Sequence, residues 1–230
     1  MTKKIYIADD EKNIRDLIYY FLTNEGYAVR TFQTGDELLE YFLTDPSDLV
    51  ILDVMMPGTD GFILSSQLRS KSNVPIIIVS ARDSEMDKIT GISLGSDDYL
   101  TKPFSPMELV ARVKAIFRRL QLDTGDNETE SYKFANLDLE MLSRDFKVNG
   151  RKIELSPTEF ALIAYLINNH ARALSREELL KNVWKFDFEV DTRATDDVIK
   201  RLRKKLVNAG STAKIESIWG FGFKLEEIPQ

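Results

Sequence analysis

The chain has 230 residues and a formal net charge of −6, and 43% of its residues are hydrophobic. At roughly 100 to 200 residues per domain this length predicts two domains, and the hydrophobic content excludes a disordered chain. The absence of cysteine excludes disulfide frameworks and thiol chemistry, and no apolar run approaches the ~18 residues that span a bilayer, so we expect an untargeted, cytoplasmic protein.

The first 120 residues alternate short apolar runs with helical patterns. The runs KIYIA, AVRTF, DLVILD, PIIIVS and DYLTK predict five strands. Parallel strands need helical connections, and the near-continuous apolar runs at 49–52 and 76–79 are typical of central strands covered on both faces. The pattern predicts an α/β domain of the flavodoxin-like (βα)5 type, with a doubly wound, five-stranded parallel sheet.

Polar residues stand where these predicted strands end. Asp9 and Asp10 follow the first strand, Asp53 ends the third, and Ser80 and Lys102 end the fourth and fifth. Ligands of such sheets bind at the carboxyl ends of the strands, so we expect these groups to converge. Clustered carboxylates repel one another unless a cation neutralises them, and ligation by oxygen alone suits Mg²⁺. A phosphoryl group on Asp53 would meet the metal, the Lys102 ammonium and the Ser80 hydroxyl, which would stabilise the transferred charge.

Each of these residues also has a plainer interpretation when taken alone. Asp9 and Asp10 are good caps for the next helix. Asp53 suits a turn ahead of MMPG, and Lys102 suits a solvated loop. Because each group falls at the end of a different strand, a shared site is the better hypothesis.

The stretch QLDTGDNETES, residues 121–131, predicts a linker between a first domain at 1–120 and a second at 132–230. After it come short strand-like pieces, with Asn149-Gly150 predicted as a two-residue hairpin turn. The stretch SPTEF predicts a capping box of Ser156 and Glu159. A second helix is predicted from Ser175, a third at about 193–207, and a closing hairpin around Gly220.

The third predicted helix is basic on an otherwise acidic chain, since residues 193–205 hold six basic and two acidic side chains. Ile199, Leu202 and Leu206 recur at helical spacing and are predicted to face the core. The residues left for the outer surface are Arg193, Lys200, Arg201, Arg203 and Lys204. Followed by a glycine-bearing hairpin, this helix predicts a winged helix-turn-helix that binds DNA, and the plainer alternative is a solvated basic helix.

Four motifs of the first half, IADDE, DLVILDVMMPGTDG, PIIIVSA and GSDDYLTKPF, resemble the receiver domain of bacterial two-component response regulators. RATDDVIKRLRKKL and IESIWGFGFKL resemble the winged helix of the OmpR/PhoB subfamily. The resemblance implies that Asp53 accepts a phosphoryl group from the histidine of a sensor kinase, that a homodimer forms, and that promoter DNA and RNA polymerase are partners. It further implies that Mg²⁺ is held by Asp10, by Asp53, by the Met55 carbonyl and by Asp9 mostly through water. Ser80 and Tyr99 would form a switch pair, and Lys102, with a cis bond to Pro103, would clamp the phosphate.

The same resemblance implies that two receivers form a two-fold dimer. The charged residues of the implied interface also have a plainer interpretation, as a solvated helix face. The implied interface consists of Lys88, Ile89, Ile92, Asp97, Asp98, Glu108, Ala111, Arg112 and Arg119. Its cross-pairs would be Lys88 with Glu108, Asp98 with Arg112, and Asp97 with Arg119.

Departures from the family pattern leave the DNA contacts open. Asp197 and Val198 stand where an apolar residue and a histidine are common, so Asp197 either accepts from cytosine or pairs with Arg201. Trp219 replaces a basic residue on the wing. Two alternatives in function also remain: a regulator that works without phosphorylation, and a Mg²⁺-dependent phosphohydrolase, which is disfavoured because Met55 replaces the second acid of such enzymes. We therefore expect no enzyme.

Overall fold

The structure is a computed structural model that describes residues 2–120, 131–184 and 193–228, with side chains throughout these ranges except at 118–120, 184, 193 and 194. The chain separates into two units, Met1–Phe117 and Arg118–Gln230. Within the described ranges, the helices are too short or too polar to cross a bilayer.

The first unit is built on a parallel sheet with the strand order β2-β1-β3-β4-β5. All five predicted strands are present, and the predicted doubly wound α/β fold is confirmed. The strands are β1 Lys4–Ala8, β2 Ala28–Phe32, β3 Leu49–Asp53, β4 Ile76–Ser80 and β5 Asp98–Thr101. The helices that follow them are α1 Lys12–Asn24, α2 Gly35–Thr44, α3 Gly61–Lys71, α4 Glu85–Ser93 and α5 Pro106–Leu120.

Apolar side chains cover both faces of this sheet. Ile51 of β3 packs in a cluster with residues of α1 and α5, whereas its neighbour Leu52 packs with residues of α2 and α3. The two residues enter different clusters because successive side chains of a strand point to opposite faces. All five residues of β3 are buried, so the position of Asp53 at the end of the strand is determined by packing on both sides.

The second unit contains two antiparallel sheets, with the strand orders β6-β7-β8-β9 and β10-β12-β11. Its strands are β6 Ser131–Phe134, β7 Leu137–Glu140, β8 Asp145–Val148, β9 Arg151–Lys152, β10 Leu174–Ser175, β11 Ala213–Ile218 and β12 Gly222–Glu227. Its helices are α6 Pro157–Asn168, α7 Arg176–Leu179, which continues as a π-helix over Leu180–Trp184, and α8 Arg193–Asn208. The winged-helix prediction is confirmed.

Local signals of the second half also agree with the structure. Asn149 and Gly150 both have positive φ angles, of 52° and 75°, as a tight hairpin turn between β8 and β9 requires. The Ser156 hydroxyl accepts from the amide of Glu159, and the Glu159 carboxylate accepts from the amide of Ser156, which completes the predicted capping box.

A buried ion pair joins α3 to the start of β5. Arg69 Nη2 lies 2.7 Å from Asp97 Oδ2, and the two side chains are 5% and 1% exposed. The same guanidinium donates to the Gly95 carbonyl, and the same carboxylate accepts from the amide of Ile76 at 3.0 Å. Burial removes the Asp97 carboxylate from water, which is unfavourable for a charged group. The hydrogen bonds from these donors offset that cost.

We therefore predict that Arg69→Met destabilises the first unit by about 3 kcal/mol, because it leaves the Asp97 carboxylate buried without its cation. Arg82→Met is the matched control, since the Arg82 side chain is 41% exposed and lies 3.8 Å and 3.9 Å from its two carboxylate neighbours. The control should cost less than about 1 kcal/mol. Urea unfolding of the full chain, followed by circular dichroism, measures both, and equal losses would contradict the role of the buried pair.

Candidate functional site

A group of acidic side chains lies at the carboxyl edge of the parallel sheet, where β1 and β3 end. Asp9 and Asp53 are only 1% and 3% exposed. One carboxylate oxygen from each of Asp9, Asp10 and Asp53 lies within 4.8 Å of the others. The structure thus brings together the three acids that the sequence places at the ends of the first and third strands.

Lys102 neutralises part of this negative charge from the end of β5. Its Nζ atom donates to Asp53 Oδ2 at 2.7 Å and to Asp9 Oδ2 at 2.8 Å. A third, weaker bond of 3.1 Å reaches Glu11. The Lys102–Pro103 peptide bond is cis, as the family resemblance implies.

The pKa shifts in this group follow from burial and pairing. Burial raises the pKa of the Asp9 carboxyl above its ordinary value, and the hydrogen bond from Lys102 opposes that rise. Burial by itself would lower the pKa of the Lys102 ammonium, but the bonds to Asp53 and Asp9 outweigh it and raise that pKa. Lys102 therefore stays charged at neutral pH and serves as the internal counter-ion of the acids.

The donor set suits a hard divalent cation. It consists of three carboxylates without histidine or cysteine, and oxygen ligands of this kind are those that Mg²⁺ prefers. The loop after β3 folds back on the same group, since the amide of Met55 donates to Asp53 Oδ1 at 3.0 Å. Met55 is exposed, whereas its neighbour Met56 is buried.

Ser80 and Tyr99 are connected through the backbone of one residue, Arg82. The Ser80 hydroxyl is fully buried and accepts from the amide of Arg82 at 3.2 Å. The Tyr99 hydroxyl donates to the carbonyl of Arg82 at 2.9 Å, and the ring is buried. Ser80 and Tyr99, the two residues implied as a switch pair, therefore share contacts with the loop between β4 and α4.

Sequence reasoning missed two residues that support the acidic group. Arg15 Nη1 donates to the carbonyls of Asp9 and Asp10, at 2.5 Å and 2.9 Å, and so holds the loop that carries them. Glu11 offers its amide to Asp9 Oδ1 at 2.9 Å and its carboxylate to Lys102. Neither residue had a signal in the sequence beyond its closeness to the acidic pair, because both contacts depend on how the loop folds.

The surface formed by α4, β5 and α5 carries charged residues that pair within one chain. Arg112 Nη1 contacts the Asp98 carboxylate at 2.9 Å and 3.1 Å, and Arg112 Nη2 lies 2.8 Å from Glu108. Ala111 is exposed beside them. Lys88 lies on α4, whereas the side chain of Arg119 falls outside the described residues.

Two predicted members of this surface need correction. Ile92 is 0% exposed and lies inside the domain, so its predicted place in a dimer interface is wrong. Ile89 is 7% exposed and lies closer to the surface. The Asp97 carboxylate is engaged by Arg69 and Ile76, which leaves it paired inside its own domain rather than presented to a partner.

In the second unit, α8 presents a polar stripe on its outer side. Asp197, Lys200 and Lys204 are exposed, whereas Val198 is 0% exposed. The predicted DNA contact of Val198 is therefore wrong, because this side chain lies in the core together with Ile199, Leu202 and Leu206. The side chain of Arg193 lies outside the described residues.

Two arginines of α8 face other elements of the fold. Arg203 Nε donates to the carbonyl of Ile215 at 2.8 Å and Arg203 Nη2 donates to the Ser217 hydroxyl at 2.8 Å, which ties the helix to β11. Arg201 Nε lies 4.0 Å from the buried carboxylate of Glu159, to which Lys205 donates at 2.7 Å. These contacts orient α8 on α6 and on the closing hairpin.

Trp219 occupies the turn of that hairpin, between β11 and β12. Its side chain is 99% exposed, and Gly220 beside it has a φ angle of 71°. Ile218 pairs with Gly222 below the turn, and the amide of Phe221 donates to the Ile218 carbonyl at 3.0 Å. A regular hairpin therefore presents the indole ring directly to solvent.

Comparisons with known families match both units. Residues 5–114 match the response regulator receiver domain, and residues 150–225 match the family described as transcriptional regulatory protein, C terminal. A mutant of RitR aligns with 98% of this chain and 99% of its own, with a TM-score of 0.63 and 26% identity. The receiver domain of a Francisella response regulator is 41% identical to this chain, with a TM-score of 0.50. The alignment covers 51% of this chain and 98% of that domain.

Relatives align over nearly the whole length. The alkaline phosphatase synthesis transcriptional regulatory protein PhoP of Bacillus subtilis is 42% identical over 99% of this chain and 98% of its own. Regulatory protein VanRc of Enterococcus gallinarum is 39% identical over 99% of this chain and 100% of its own. The chain therefore belongs to the OmpR/PhoB subfamily of two-component response regulators, transcription factors that phosphorylation controls.

Proposed function

We propose that Asp53 is the residue that accepts the phosphoryl group from the histidine of a partner sensor kinase. The observation that carries this proposal is the convergence of Asp53 with Asp9, Asp10 and Lys102 at one edge of the sheet. A carboxylate oxygen of Asp53 attacks phosphorus, and the bond from phosphorus to the kinase nitrogen breaks. Burial of β3 holds this carboxylate in one place, which favours the in-line geometry of transfer.

Charge balance assigns roles to the neighbours of Asp53. Asp10, Asp9, Asp53 and the Met55 carbonyl would hold Mg²⁺, which when bound offsets the negative charge of the incoming phosphoryl group. The Lys102 ammonium already lies 2.7 Å from Asp53 and would pair with a phosphoryl oxygen. The Ser80 hydroxyl can donate to another phosphoryl oxygen while it accepts from Arg82, because a hydroxyl has both capacities.

The shared contacts with Arg82 support a route from phosphorylation to the surface. A shift of Ser80 toward the phosphoryl group would move the backbone of Arg82, whose carbonyl Tyr99 contacts. Tyr99 lies on β5, which borders the surface formed with α4 and α5. Phosphorylation then favours the dimer by changing the relative free energies of two arrangements of this surface.

We further propose that two receivers associate through the surface of α4, β5 and α5. Ala111 and the edge of Ile89 form its apolar centre, and Lys88, Asp98, Glu108 and Arg112 form its charged rim. The pair of Arg112 with Asp98 within one chain would be exchanged for the same pair across a two-fold axis. Dimerisation would exchange an ion pair within one chain for an ion pair between chains and would gain none. Such pairs would determine how the two receivers are aligned more than how tightly they bind.

DNA would lie against the outer stripe of α8 and the turn of the closing hairpin. Lys200 and Lys204 are placed for phosphates, Asp197 for a base edge and Trp219 for apolar packing on the sugars. Arg193 keeps its predicted role, and Arg201 and Arg203 contribute by orienting α8.

The remaining proposals concern the whole chain. We retain a receiver at 1–120, a linker at 121–131, which falls almost wholly outside the described residues, and a DNA-binding domain at 132–230. The protein acts in the cytoplasm, where promoter DNA and RNA polymerase meet. It holds a phosphoryl group rather than turning over a substrate, and water later removes that group.

The first prediction from the proposed function concerns Asp53. A small phosphodonor with Mg²⁺ should add one phosphoryl group to the protein, and Asp53→Asn should abolish the addition because the nucleophilic oxygen is lost. Asp60→Asn is the control, since Asp60 ends the loop that follows Asp53 and asparagine is an equally good helix cap. Intact-mass spectrometry measures the product, and an unchanged mass of the wild type would refute the proposal.

The second prediction concerns the dimer. Ala111→Glu places a charge at the centre of the proposed interface and should weaken dimerisation of the phosphorylated protein at least about tenfold. Gln67→Glu adds the same charge at an exposed position of α3 and should leave the dimer unchanged. Sedimentation velocity distinguishes the two, and normal dimerisation of Ala111→Glu would exclude this surface.

The third prediction separates charged from apolar DNA contacts. Lys204→Ala should lower by about one the slope of log affinity against log salt concentration, because one phosphate contact is lost. Trp219→Ala should lower the affinity without changing that slope. Fluorescence anisotropy with a duplex selected by the wild type measures both, and Lys152→Ala, on β9, is the control. Equal slopes for Lys204→Ala and the wild type would argue against the proposed face.

A further inference from the structure

The loop between β3 and α3, residues 54–60, is held by α2, a helix that contributes no residue to the acidic group. Asp36, in the first turn of α2, accepts two hydrogen bonds from Thr59. The Thr59 hydroxyl donates to Asp36 Oδ1 at 2.6 Å, and the Thr59 amide lies 3.3 Å from Asp36 Oδ2. We refer to these two bonds as the Asp36 clamp.

The backbone on both sides of the clamp is shaped for this close approach. A Cβ atom added to Gly58 would lie 2.6 Å from Asp36 Oδ2, and Gly58 has a φ angle of 88°, which other residues rarely adopt. A Cβ atom added to Gly35 would lie 2.6 Å from the side chain of Leu64. Two glycines therefore let the first turn of α2 approach both the loop and α3.

The other end of the loop is fixed by different contacts. The amide of Met55 donates to Asp53 Oδ1, and the Met56 side chain is buried in the cluster that α2 and α3 share. Asp60 caps α3 by accepting from the amide of Phe62 at 2.7 Å. Between Met56 and Asp60, the clamp is the side-chain contact that restrains Pro57, Gly58 and Thr59 in the described part of the loop.

We propose that Asp36 is a positioning residue that sets the affinity of the acidic group for a divalent cation, by holding the loop that carries the Met55 carbonyl. This inference depends on the proposed cation site. A carbonyl ligand binds well only if its peptide is already oriented, because ordering loop residues costs about 1 kcal/mol each. The clamp orders the loop before the cation arrives, so it lowers that cost.

Asp36→Ala tests this role in the full chain. Hydrogen exchange of the amides at 55, 56 and 58–60, measured without metal, should be about tenfold faster. The Kd for Mg²⁺, measured by titration calorimetry, should rise about tenfold. The Mg²⁺ concentration for half-maximal phosphorylation should rise in parallel, whereas the rate at saturating Mg²⁺ should stay within about twofold. A residue that served only the stability of the fold would not weaken Mg²⁺ binding while leaving the rate at saturating Mg²⁺ unchanged.

Three further variants serve as controls. Thr59→Val removes the hydroxyl bond and should give a smaller effect, whereas Thr59→Ser keeps both donors and should behave as the wild type. Glu40→Ala removes the same charge from an exposed position one turn further along α2. It should change Mg²⁺ affinity less than about twofold, because a distant exposed charge is screened.

The outcomes separate the two proposals. Unchanged exchange and unchanged Mg²⁺ affinity in Asp36→Ala would overturn the role of Asp36 while leaving the cation site intact. Equal losses in Asp36→Ala and Glu40→Ala would overturn it as well, since they would show a general effect of charge. A wild type that takes up no Mg²⁺ would refute the cation site itself, and with it the function assigned to the clamp.

Discussion

The interaction on which the first domain depends is that of the Lys102 ammonium, 11% exposed, with two buried carboxylates. Lys102 lies 2.7 Å from Asp53 and 2.8 Å from Asp9, and without it two negative charges would be held together out of water. The apolar packing of β3 and β1 places those charges, and the loop bonds of Arg15 and Glu11 retain them. Three carboxylates and one ammonium leave this group with a net negative charge, which a divalent cation would offset.

Much of the fold follows from periodicity and turn chemistry in the sequence. The apolar runs locate β1 to β5, since a strand covered on both faces is apolar throughout and does not alternate apolar with polar residues. The ends of those runs locate the acidic group. Asn149-Gly150 and the Ser156 capping box are predictable for local reasons, because the residues that stabilise them are within four positions of one another. Family resemblance added the roles of Ser80 and Tyr99, which the residues by themselves do not specify.

The errors have a common physical origin, which is packing between distant segments. Val198 is buried because α8 packs against more than one element, which makes its apolar face wider than the stripe of Ile199, Leu202 and Leu206 indicates. Ile92 and Asp97 are drawn inward by neighbours on other elements, and Arg69, the partner of Asp97, lies 28 positions away in the sequence. Asp36 and Thr59 are 23 positions apart in the sequence, so no local sequence pattern predicts their contact.

The backbone and the side chain of Arg82 make different contacts. Its amide donates to Ser80 and its carbonyl accepts from Tyr99, whereas its guanidinium faces Asp60 and Asp87 and lies over the ring of Phe62. These two backbone bonds therefore do not depend on which side chain, other than that of proline, stands at position 82. A substitution there would change the contacts with Asp60, Asp87 and Phe62 while it leaves the bonds to Ser80 and Tyr99 in place.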